Sequence, residues 1–189
     1  AQSLALYPPS PDETKLIHDL FLSQQKRKQS IVAHTGDGIA MSKTYKESTK
    51  IMQPQQRNIH QKIFGGYILR QGFELAYVTT YVFSHHRPKF IALDDNTFVK
   101  PVEIGAVVDF KAQIIYAENE LCTVQVKVEV IHPESGKRDV TNVLHFSFAI
   151  PVQHTVIPET YNEAILYLEG RRIHQKSKRM SQILSRNLH

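Results

Sequence analysis

Tryptophan is absent from these 189 residues, and cysteine occurs once, at Cys122. A single thiol cannot pair within the chain, so no disulfide frame holds the fold, as suits a reducing compartment. No apolar run approaches the roughly 18 residues of a membrane span, which excludes an integral helical membrane protein. The first residues carry neither the apolar core of a secretory leader nor an Arg-rich transit pattern. Acidic residues vanish after Gly170, where Arg171, Arg172, Lys176, Lys178, Arg179 and Arg186 follow without any Asp or Glu. The chain has 23 basic and 18 acidic residues, a net charge of +5; without those six, 17 basic residues stand against 18 acidic ones. The positive excess therefore belongs to the C-terminal stretch and not to the body.

What is present is the composition of a globular domain, 41% apolar and 22% charged. A chain of this size buries roughly 70% of its extended surface, enough for a core without a metal staple. Residues 1–38 read as a Pro-rich arm and an amphipathic helix, 39–157 as the main domain, and 158–189 as a short helix followed by a basic tail. Ser10-Pro11-Asp12-Glu13 is a capping box, with Ser10 as N-cap and Glu13 reaching back. Leu16, Ile17, Leu20 and Phe21 supply the apolar stripe of the helix that follows. Thr35-Gly36-Asp37-Gly38 is turn chemistry, and 39–52 has the Thr, Tyr and Ile content of an edge strand.

A polar loop from Gln53 ends at Phe64-Gly65-Gly66. The next residues to about Phe83 are apolar almost all round, which predicts a helix wrapped by other structure. Within it Arg70 and Glu74 are spaced to pair, and Gly72 implies close approach of another backbone. Beyond it, Val108, Phe110, Ala112, Ile114 and Tyr116 alternate with polar residues, as do Val124, Val126, Val128 and Val130, and then Leu144, Phe146, Phe148 and Ile150. A period of two marks strands with one buried face. Turns at 117–120 and 133–136 make them consecutive hairpins, so an antiparallel sheet should curl around the helix. Asp94 and Asp95 read as caps of a strand-to-turn transition, and Glu159 to Leu168 as a short helix.

These residues together resemble the hotdog fold of acyl-coenzyme A thioesterases. The resemblance rests on Met41-Ser42-Lys43-Thr44, on Arg57-Asn58-Ile59 running to Lys62-Ile63-Phe64-Gly65-Gly66, on Asp95-Asn96-Thr97-Phe98-Val99-Lys100-Pro101-Val102-Glu103-Ile104-Gly105, and on Thr141-Asn142-Val143-Leu144-His145-Phe146. It is strongest to the C-terminal hotdog of the mitochondrial double-hotdog, type-nine-like branch. The implied fold is α+β, a long antiparallel sheet wrapped around a central buried helix, with an N-terminal helix and a C-terminal helix plus basic tail. The implied reaction is hydrolysis of acyl-coenzyme A; the coenzyme enters as substrate, with no cofactor and no metal. It also implies a mitochondrial matrix location.

The chemistry gives the loop-to-helix junction a reason. A helix N-terminus presents unpaired amides and partial positive charge, and glycine leaves them open to a ligand carbonyl. Gly65 and Gly66 are thus substrate-binding candidates that would steady a thioester oxyanion, with Lys62 and Phe64 flanking them; the alternative is that the two glycines serve only tight packing of the central helix. Asn58 and His60 are the catalytic candidates of the loop. The same Asn58 also suits a turn that bonds its own backbone, and His60 a merely structural histidine. Relatives place an activating carboxylate two residues before the Phe or seven after the second Gly; here those positions hold Lys62 and Phe73. Glu74 is a helical step of about 100° away from the second. The expected partner is therefore a second hotdog domain or subunit supplying the carboxylate. A contrasting reading is a non-catalytic accessory subunit of a large mitochondrial assembly, with 171–189 contacting RNA or the complex. His85-His86 lacks a third metal ligand, and Cys122 has no histidine beside it in sequence to make it a nucleophile.

Overall fold

The computed structural model describes residues 8–29, 38–98, 100–151 and 154–186. Helix α1 (Pro11–Gln29) opens with the expected capping box. The Ser10 N–H donates to Glu13 Oε2 at 2.9 Å and the Glu13 N–H to Ser10 Oγ at 3.3 Å. The turn read at 35–37 lies outside the described residues. The following stretch is not one edge strand. It divides into β1 (Gly38–Ala40), a 3-10 turn over Met41–Thr44, and β2 (Lys46–Ile51). The break has a physical cause: Met41 and Thr44 turn into the core, and Thr44 Oγ1 accepts the Ile114 N–H at 3.1 Å.

The central helix α2 (Gly65–Ser84) starts and stops where its residues predict. Strands β3 (Lys89–Phe98), β4 (Val107–Glu118), β5 (Leu121–His132) and β6 (Lys137–Ala149) follow. With β2 they form an antiparallel sheet in the order β2-β4-β5-β6-β3. The β4–β5 turn needs positive φ at both Asn119 and Glu120, and Gly136 supplies it in the β5–β6 turn. Val108, Phe110, Ala112 and Ile114 point to α2 with Val124, Val126, Val128, Leu144, Phe146 and Phe148, and all are buried.

Three expectations for α2 need correction. A sheet covers only one side of a helix, so Ile68, Gly72, Ala76, Thr79 and Phe83 are buried while Val78, Tyr81 and Val82 lie about half exposed. Arg70 Nε does donate to Glu74 Oε1, at 2.9 Å, but on the exposed surface rather than inside. Gly72 is pressed by side chains and not by backbone: a Cβ there would lie 2.7 Å from Leu144 Cδ1 and 3.7 Å from Phe146 and Val126. Asp94 is likewise no turn cap. It sits within β3 opposite His145 and accepts a bond from Ser147 Oγ at 2.8 Å.

A short strand β7 (Thr155–Ile157) pairs in parallel with β1 and leads into α3 (Tyr161–Arg186). The short helix and tail expected from 158 are thus a single 26-residue helix. Gly170, within this helix, is a packing residue: a Cβ there would stand 2.6 Å from Tyr116 Cβ and 3.2 Å from the Ile115 backbone. Ile173 and His174 stay buried one turn further on. Arg172 Nε and Nη2 donate to the Glu13 carboxylate at 2.8 and 2.7 Å, tying α3 to α1. That guanidinium holds the Glu13 pKa down at about 2. On the outer face of the sheet Asp109 and Glu129 are buried, with Arg138 on the first and Lys111 and Lys127 on the second, each lysine at 2.6 Å. Burial opposes ionisation of both, and these partners overcome it, leaving both pKa values depressed. No helix among the described residues is long and apolar enough to cross a membrane.

Candidate functional site

The loop ahead of α2 is built around Asn58. Its Oδ1 accepts the backbone N–H groups of His60 at 2.9 Å and Lys62 at 3.1 Å. The Asn58 N–H donates to the Lys62 carbonyl at 2.7 Å, and Gln61 adopts a φ of 59° to close the turn. Arg57 and Ile63 form an antiparallel bridge across its base. The turn role of this asparagine is therefore observed, since Oδ1 is engaged on the backbone; its Nδ2 donates to no protein acceptor among the described residues.

The loop is fixed to α2 at both sides of the junction. The Phe64 N–H donates to the Gln56 carbonyl at 2.7 Å and the Ile63 N–H to the Val102 carbonyl at 2.9 Å. Phe64 is the N-cap residue, and its carbonyl receives the N–H groups of Tyr67 and Ile68. Among the described residues, the N–H groups of Gly65 and Gly66 donate to no protein acceptor. They are orphan donors at the positive end of a 20-residue helix, suited to an anionic oxygen or a polarised carbonyl. Gly66 leaves room for the Phe64 ring, which folds back over it: a Cβ there would meet Phe64 Cε1 at 2.4 Å, and this exposed ring would have to turn aside. Gly66 itself remains exposed, and Phe64 is 58% exposed beside it.

Charge at the junction differs from a bare lysine. Lys62 Nζ donates directly to Glu103 Oε1, and the two residues also form a backbone bridge. Reading the sequence places Glu103 in the phrase ending at Gly105 but gives it no role; its separation from the loop leaves no local signal of the pairing with Lys62. Phe73, at the other carboxylate position, belongs to an aromatic cluster, with ring centroids 5.4 Å from Phe90, 5.8 Å from Phe146 and 5.9 Å from Phe148. Glu74 is directed away, to Arg70 and Gln71.

The junction thus gathers Asn58, Lys62, Phe64, Gly65 and Gly66, with His60 exposed at the turn. His145, from the phrase Thr141-Asn142-Val143-Leu144-His145-Phe146, lies elsewhere, beneath α3, 3.1 Å from Gln125 Nε2; burial lowers its pKa. Among the described residues no group of three or more His, Cys, Asp or Glu side chains is arranged to hold a metal ion.

Comparison with known proteins assigns the chain. It is 37% identical over 180 residues to acyl-coenzyme A thioesterase 10, mitochondrial, of Mus musculus, a match covering 93% of this chain and 40% of that protein. Against acyl-coenzyme A thioesterase 9, mitochondrial, of Homo sapiens it is 36% identical over 178 residues, covering 90% of this chain and 40% of that protein. The chain belongs to the acyl-coenzyme A thioesterase family. It spans about two fifths of the length of these curated relatives. An acyl-CoA hydrolase mutant from Staphylococcus aureus superposes with a TM-score of 0.73 at 21% identity, over 82% of this chain and all of that one. An apo-hexameric acyl-CoA thioesterase gives 0.72 at 18% identity, over 77% of this chain and 98% of that one. These structural likenesses establish the hotdog fold. No protein-family model matches the sequence.

Proposed function

We propose that this chain forms one hotdog of an enzyme that hydrolyses acyl-coenzyme A to a carboxylic acid and coenzyme A. The observation that carries the reading is the pair of unengaged amides at Gly65 and Gly66, at the mouth of a helix whose other face is buried in the sheet. A thioester carbonyl placed there gains two donors just where negative charge develops when water attacks. Asn58 orients the carbonyl through Nδ2 while its Oδ1 keeps the turn, and His60 passes protons at the solvent side. Lys62 and Phe64 line the approach, with the Phe64 ring as an apolar flank for the acyl or pantetheine part.

Water also needs a base, and positions 62 and 73 hold none. A second hotdog therefore closes the site and brings the carboxylate. That group takes a proton from water as the C–O bond forms, and returns it to the sulfur as the C–S bond breaks. The names of the relatives support a mitochondrial location, and the matrix is our own reading of it.

The test is hydrolysis by the purified native assembly containing this chain, following thiol release from acyl-coenzyme A of graded chain length. Turnover that falls when Gly66 is changed to Val supports the reading. An assembly that binds no acyl-coenzyme A and releases no thiol would refute it and favour a non-catalytic accessory subunit.

A further inference from the structure

We propose that Glu103 is a positioning residue that neutralises Lys62 and so keeps the incoming carboxylate basic enough to activate water. The inference rests on the thioesterase reading above. Lys62 stands three residues before Gly65, and the helix mouth already carries partial positive charge. A bare ammonium beside it would pair with any carboxylate entering to serve those amides, and would lower its pKa. General bases lose efficiency as their pKa falls away from the working pH.

Glu103 prevents this by occupying Lys62 within the chain. The contact is side chain to side chain, and the backbone bridge between the same two residues fixes their spacing. Ile63 N–H to Val102 carbonyl, at 2.9 Å, holds the neighbouring register. Lys62 in turn has its own N–H and carbonyl bound by Asn58. The pair is thus aligned from two directions, and both side chains are open enough to face a second domain, at 39% and 61% exposure. The other charged or titratable groups around it are Arg57 and His60 on the loop. On the Glu103 side lie Lys100 and Asp139, 3.7 Å apart, together with His132, which reaches Asp139 at 3.2 Å, and Glu134.

The test is the pH dependence of kcat/KM for acyl-coenzyme A hydrolysis by the full assembly. Glu103→Gln exposes Lys62, so the acidic limb should move down by about one pH unit, with a loss of at most about tenfold on the plateau at neutral pH. Lys62→Met leaves Glu103 alone and should move the same limb upward. The double variant removes both charges and should return the limb to its wild-type position, whatever happens to KM. Thermal melting of each variant checks that the fold is intact. The proposal is overturned if Glu103→Gln leaves the limb in place, or if the double variant keeps the displaced limb. It is also overturned if Glu103→Gln abolishes the limb altogether, since Glu103 would then be the base itself. A wild-type assembly without hydrolysis removes the thioesterase reading as well.

Discussion

Replacing Asn58 separates two roles that one side chain combines. Oδ1 holds two backbone N–H groups, at 2.9 and 3.1 Å, and each such bond contributes about 1 kcal/mol. Asn58→Ala removes both, but His60 is exposed and water can replace its share, so a loss of about 1–2 kcal/mol is expected. In a chain of this size that lowers the melting temperature by roughly 2–8 °C. Asn58→Asp preserves an oxygen acceptor for both N–H groups and sits near the positive end of α2, so its stability should stay within about 0.5 kcal/mol of wild type. What the aspartate lacks is the Nδ2 donor. If that donor orients the thioester, both variants lose at least about tenfold in kcat/KM while only the alanine loses stability. Circular dichroism melting and thiol release on the same preparations read both quantities. Turnover of the Asn58→Asp variant at the wild-type rate would show that Asn58 is a turn residue alone.

Three further outcomes follow from packing and ionisation. Gly72→Ala and Gly170→Ala each gain about 1 kcal/mol of helix propensity, yet the first meets a movable Leu144 methyl and the second meets Tyr116 Cβ and Ile115 backbone. Chemical denaturation should therefore find Gly170→Ala the more destabilising, by at least about 1 kcal/mol; equal effects would contradict the packing. Glu13 is held at a pKa of about 2 by Arg172, below its ordinary 4.5, so its stabilisation is present above pH 4.5 and lost as pH falls toward 2. Glu13→Gln should flatten that part of the stability curve in acid titrations. Cys122 is fully buried and its thiol is pushed up to about 12, so alkylation at pH 8 should proceed only at the rate of unfolding, which mass spectrometry can follow.

The sheet and central helix were legible because their signals are local. Alternation of Val124, Val126 and Val128 states which face is buried, and Ser10 with Glu13 states where α1 begins, without reference to any distant residue. The continuation of α3 was not legible, because it depends on what lies beneath it. Gly170 is explained only once Tyr116 and Ile115 are placed against it, and Arg172, read within the basic tail, only once Glu13 is found beside it. Asp109 and Glu129 similarly occupy the polar phase of their strands, and only the cross-strand cations explain their burial.

The junction divides in the same way, and the division bears on its chemistry. Order alone places Gly65 and Gly66 at the mouth of α2, while the role of their amides rests on the function proposed above. The carboxylate question could not be closed from order. Phe73 is bound into an edge-to-face cluster with Phe90 and Phe146, so that position packs against the core of this chain. Position 62 instead holds a lysine, and Glu103 offsets its charge across a backbone bridge. A cation left uncompensated beside two orphan amides would turn the junction into a general anion trap. On the thioesterase reading proposed above, pairing Lys62 with Glu103 leaves the amides of Gly65 and Gly66 as the positive field that a developing oxyanion would meet, and discrimination between transition state and bystander anion would follow from that confinement.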